Sequence, residues 1–151
     1  MSSRLRLALL CALATQTAMA AEPFEGTWKL VPEKSKLGLK IQTLVMTITK
    51  TGPNTFRTVQ DATLKSGEKR HQESERVMDG KEHAVTIGAT GDHQRSIIAR
   101  RIDANTREIT DKSDGKVTET VVSVVAPDGR TMKNVEHEAN GNEWISIYAR
   151  P

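Results

Sequence analysis

Asp103–Gly141 reads DANTREITDKSDGKVTETVVSVVAPDGRTMKNVEHEANG. Short turn signals punctuate it: Asp103-Ala104-Asn105, Asp114-Gly115, Pro127-Asp128-Gly129 and Asn140-Gly141. Asp-Gly and Asn-Gly suit tight hairpins because the primed turns need positive φ, which Gly and Asn adopt at little cost. Upstream the pattern continues through Gly52-Pro53-Asn54, Ser66-Gly67, Asp79-Gly80 and Gly91-Asp92. Successive signals lie roughly 10–14 residues apart, which leaves strands of about eight to ten residues joined by short loops.

Ten strands follow from that spacing: Gly26–Val31, Gln42–Lys50, Thr55–Leu64, His71–Met78, His83–Ala89, Gln94–Ile102, Thr106–Lys112, Lys116–Ala126, Thr131–Ala139 and Glu143–Arg150. In Gln42–Lys50, Leu44, Met46 and Ile48 share one face, and Thr43, Val45, Thr47 and Thr49 the other. Pro32–Lys36 predicts one short helical turn after the first strand, with Pro at its start. Long antiparallel strands in simple succession leave exposed edges unless the sheet closes. The expectation is all-β: an antiparallel up-and-down barrel of about 8–10 strands.

Residues 1–20 read as a separate object. Arg4 and Arg6 precede the apolar run Leu7–Ala14, and Ala18-Met19-Ala20 has the small-x-small form of a signal-peptidase site. The run is too short to span a bilayer as a helix. The expectation is a cleavable secretory signal over 1–20, one barrel domain over 21–151, and a periplasmic or secreted product. The 22 Lys+Arg lose Arg4 and Arg6 with the signal, so 20 stand against 19 Asp+Glu, a formal +1. That balance, mixed along the chain, reads as a solvated exterior and not as a nucleic-acid footprint. Cys11, the only cysteine, also leaves with the signal, so the remainder has no thiol chemistry. No transmembrane segment is expected in the mature chain.

Leu44, Met46, Ile48, Phe56, Val85, Ile87, Val122 and Val124 are the expected inward faces, and Trp144, Ser146, Tyr148 and Arg150 share a face of the last strand. From these, Met46, Phe56, Ile87, Val122 and Tyr148 are the candidate ligand-binding residues. With only five aromatic residues to fill a barrel of this size, two readings stay open: a hollow barrel holding a small apolar molecule, or a packed one serving as an interaction or envelope-associated module. His71 with Glu73 and Glu75 reads as charged surface strand, and alternation sends Glu136 and Glu138 away from His137. No nucleophile elbow, phosphate loop or His-Glu-x-x-His motif is present, so no enzyme activity, cofactor or metal is expected.

Phe24-Glu25-Gly26-Thr27-Trp28-Lys29-Leu30 carries a Gly-x-Trp, and the chain ends on a strand bearing Arg150. In this it resembles the calycin group, lipocalins and fatty-acid-binding proteins. There, an arginine from a late strand packs across the first-strand tryptophan, which makes Trp28 and Arg150 the implied barrel-closure pair. Lys34-Ser35-Lys36, Asp79-Gly80-Lys81, Asp114-Gly115-Lys116 and Pro127-Asp128-Gly129-Arg130 extend a resemblance to small exported bacterial lipocalin-like proteins. It implies non-enzymatic binding of a small, largely apolar molecule in the barrel. A weaker third reading keeps His137 as a haem ligand. Two departures from fatty-acid-binding proteins stand out: Pro32–Ile41 is too short for their helix-turn-helix lid, and Tyr148-Ala149-Arg150 reverses their Arg-x-Tyr.

Overall fold

A computed structural model of the protein describes residues 22–85 and 94–151. The described chain is all-β: β1 (Gly26–Leu30), β2 (Ile41–Lys50), β3 (Thr55–Leu64), β4 (Lys69–Val77), β5 (Glu82–Ala84), β6 (Arg95–Arg101), β7 (Thr106–Ser113), β8 (Lys116–Val125), β9 (Thr131–Glu138) and β10 (Glu143–Ala149). The expected helical turn is a single 3-10 turn, Pro32–Lys34, and no α-helix occurs among the described residues. The remainder of the expected His83–Ala89 strand, like the signal segment and Ile87, lies outside them.

Every neighbouring pair of strands is antiparallel, in the order β4-β3-β2-β1-β10-β9-β8-β7-β6-β5. Pairing β1 to β10 wraps the meander into a barrel that is nearly closed. Its seam falls between β4 and the β5–β6 hairpin, where the Gly80 N–H donates to the Ala99 carbonyl at 2.9 Å. The β7–β8 hairpin shows why the turn residues matter. Asp114 (φ 51°) and Gly115 (φ 75°) both sit at positive φ, as a two-residue primed turn demands.

The core is concentrated at one end. Phe24, Trp28, Leu30, Met46, Ile48, Phe56, Val125, Met132 and Tyr148 form one buried apolar cluster there. A smaller cluster, Ile97, Ala99 and Ile109, lies along β6 and β7. Toward the other end the inward side chains no longer meet, and a lumen opens.

Candidate functional site

The closed end is built around Trp28, which is fully buried. Its indole N–H donates to the Phe24 carbonyl at 2.9 Å, and the Arg150 guanidinium lies over its ring, 4.1 Å from the centroid. Arg150 also donates to three carbonyls: Gly129 at 2.7 Å, and Glu25 and Pro23 at 2.9 Å each. These bonds tie the lead-in before β1, the β8–β9 turn and the last strand together. Gly26 (φ +119°) has no side chain because one would run into that guanidinium.

Above this floor lies a lumen of about 400 Å³, within the range of small-molecule sites. The β2–β3 wall is largely apolar, with Leu39, then Ile41, Leu44 and Met46 of β2 and Ala62 and Leu64 of β3 around Gln60, and β4 adds Arg70, Gln72 and Arg76. The facing wall is polar, and strand register explains its layout. Arg107 on β7 is opposite Ser123 on β8, Ser123 is opposite Asn134 on β9, and Asn134 is opposite Ser146 on β10. All four line the lumen. They form one inward row directly above Tyr148, Met132 and Val125, which belong to the apolar floor. Nearer the mouth on the same wall stand Asp111, Glu119 and Glu136, with Asp111 opposite Glu119 across β7 and β8.

Burial shapes the charges of this wall. Arg107 is only 4% exposed, stacked over the Phe24 ring at 4.5 Å, and desolvation pulls its pKa down to about 9. The charges of Arg76 and Arg101 push the same way, and Glu22 opposes them. It stays a cation at neutral pH. Burial also lowers the Arg76 pKa, against the attraction of Asp111 and Glu119. Glu119 is pushed up to about 7, first by burial, then by the charges of Glu136 and Asp111. Burial raises Glu136 as well, although its hydrogen bond with Glu119 pulls the other way. Among the described residues, Arg107 Nε, Ser123 Oγ, Asn134 Oδ1 and Arg76 Nε are buried with no hydrogen-bond partner. Such atoms are rare in folded interiors, and three of the four belong to one register row.

The sequence-predicted residues divide. Met46 and Tyr148 are buried and line the lumen. Phe56 is buried too, but in the core cluster and away from the lumen lining, so its placement in the ligand site is corrected. Val122 and Val124 are corrected as well: both point outward, Val124 being 42% exposed, whereas Val121 and Ser123 face the lumen and Val125 the core. A run of four valines broken by one serine fits either parity, and putting the serine outside gave the wrong one. Reading all the charges as solvated exterior missed Arg76, Arg107, Asp111, Glu119 and Glu136. The available signal was alternation in β7, where Arg107, Ile109 and Asp111 share a face. His71 lies on the exterior, 2.7 Å from an Asp61 oxygen and 3.4 Å from a Glu73 oxygen, and those acids raise its pKa.

No protein-family model matches the chain, and no curated protein matches it. Solved structures do. A Schistosoma mansoni fatty-acid-binding protein in complex with arachidonic acid superimposes with a TM-score of 0.63 at 17% identity, over 85% of this chain and 96% of that one. The fluorescent protein UnaG gives 0.62 at 14% identity, over 86% and 98%. A fatty acid transporter, REP1-NXSQ, gives 0.60 at 17%, over 84% and 95%. The chain therefore shares the nearly closed β-barrel fold of these structures. Likeness at such identities establishes the architecture only.

Proposed function

We propose that this protein is a non-enzymatic carrier that holds one small, largely apolar molecule inside its barrel, with a polar end on the β7–β10 wall. One observation carries the reading: a lumen of about 400 Å³ sets a largely apolar wall on β2 and β3 against a polar row whose buried atoms lack partners. A packed scaffold would have no reason to bury them, since each unpaired polar atom costs about 1–3 kcal/mol. The barrels it superimposes on include a fatty-acid-binding protein and a fatty acid transporter, which supports an apolar cargo. Met46 belongs to the tail wall and Tyr148 to the floor beneath the polar end.

The reading includes export: Arg4, Arg6, Leu7–Ala14 and Ala18-Met19-Ala20 supply the parts of a secretory signal, with cleavage after Ala20. N-terminal sequencing of the mature product tests that part on its own. The carrier function is tested by native mass spectrometry after incubation with a lipid and metabolite extract. A reproducible adduct of one small molecule, absent from a Met46→Trp variant whose indole fills the lumen, is the expected result. A clean apo mass under the same conditions would return the barrel to the interaction-module reading.

A further inference from the structure

Arg107, Ser123, Asn134 and Ser146 stand in one inward register row, and the unpaired atoms of that row are not all of one kind. Arg107 Nε can only donate, Asn134 Oδ1 can only accept, and Ser123 Oγ between them can do either. A group that satisfies the row must therefore accept at one atom and donate at another. A carboxylate has only acceptors. It would satisfy Arg107 and leave Asn134 Oδ1 facing a second set of lone pairs. The ionisable lining of the lumen is mixed, with Asp111, Glu119 and Glu136 on the same wall toward the mouth and Arg70 and Arg76 on β4, so the row's unpaired atoms and not the net charge set the preference.

Resting on the carrier reading above, we propose that the lumen selects an apolar chain ending in an uncharged amide. The amide oxygen accepts from Arg107 Nε and Ser123 Oγ, and the amide N–H donates to Asn134 Oδ1. Neighbouring strands stand about 4.8 Å apart, so Arg107 and Asn134 reach inward from two strands' separation. An amide, with acceptor and donor on separate atoms, bridges that span better than a single hydroxyl oxygen. The chain then runs along Leu44 and Ala62 toward the mouth.

The test compares three ligands of one chain length by displacement of anilinonaphthalene sulfonate from the wild-type protein at neutral pH. Dodecanamide offers acceptor and donor, N,N-dimethyldodecanamide only the acceptor, and dodecanoic acid a charged acceptor. The proposal expects the primary amide to bind roughly tenfold or more tightly than either of the others, the size of one unpaired buried group. Asn134→Leu should erase the gap between the two amides, and Asn134→Asp, which accepts but cannot donate, should keep it. Equal binding of the two amides, or loss of the gap in Asn134→Asp, would overturn the assignment of the N–H. Tighter binding of the acid would overturn the uncharged head while leaving a carrier of apolar acids. Failure of all three to bind would instead remove the carrier reading on which this one rests.

Discussion

The two ends of this barrel are built on opposite terms. At the closed end Trp28, Phe24, Met132 and Val125 pack with almost no exposed surface, and Arg150 spends its guanidinium on three carbonyls and an indole face. In the polar row just above it Arg107 is buried against the Phe24 ring with its Nε unpaired, and Ser123 and Asn134 beside it keep unpaired atoms. Both regions stack an arginine on an aromatic ring, so that contact by itself does not tell structure from function. What separates them is whether the polar groups are satisfied from within the chain. A satisfied arginine is part of the scaffold, and an unsatisfied one is a cost that folding carries for something else.

The largest effect should come from breaking the satisfied end. Trp28→Ala removes a fully buried indole, its hydrogen bond to Phe24 and the surface on which Arg150 rests. A loss of about 3–5 kcal/mol in a urea titration is expected. A near-neutral result would mean that the closed end does not hold the barrel together. The unsatisfied end should respond with the opposite sign. Arg107→Leu keeps the bulk against Phe24 and removes a desolvated cation without an ion partner among the described residues, so stability should rise by about 1–2 kcal/mol. Ligand affinity should fall at the same time, as expected where stability has been exchanged for a site. A destabilised Arg107→Leu protein would place Arg107 with Arg150 as a structural residue and erase the contrast between the two ends.

The same contrast governs what was legible beforehand. Turn spacing gave the strand count and the meander order, and Pro32 the helical turn, because hairpin chemistry is local and positions such as Asp114-Gly115 admit few conformations. The apolar residues of β2 followed from alternation, since a half-buried strand separates its faces cleanly. The polar wall was not legible, because the inference from charge to solvent assumes an apolar interior. In β8 that assumption turned Ser123 outward and Val122 inward, and in β7 it hid Arg107 and Asp111. A lumen built to hold a ligand breaks the binary pattern where its function resides.

A smaller effect should appear in the pH dependence of stability. Glu119 titrates at about 7 in the folded protein, above the 4.5 of an unperturbed glutamate, because burial and the neighbouring Glu136 and Asp111 disfavour its charge. The folded state thus holds its proton more tightly than the unfolded chain. Its favourable contribution is complete below about pH 4.5 and is lost as pH rises through about 7. Glu119→Gln should remove that loss. Because the side chain is only partly buried, wild type should fall behind the variant by about 1 kcal/mol between those limits, and the two should converge in acid. Thermal melts across the range would measure it. A constant offset at every pH would mean that the carboxyl is solvated and that the polar wall is wetter than its burial implies.

The smallest effect tests the parity of β8, on which the whole polar row depends. Val122 lies outside, opposite Glu108, and Val121 lies inside, on the lumen. Val122→Lys should therefore place an ammonium in solvent within reach of Glu108, with stability held to within about 0.5 kcal/mol and binding unchanged. Val121→Lys, one residue away, should put the same group among the lumen walls and abolish binding. The pair is sharper than either variant alone, because adjacent positions share backbone, propensity and hydrophobicity and differ only in the side of the sheet they face. If Val122→Lys proved the damaging one, every inward assignment on β8 would shift by one residue. Ser123 would then leave the lumen, and the row that joins Arg107 to Asn134 would no longer exist.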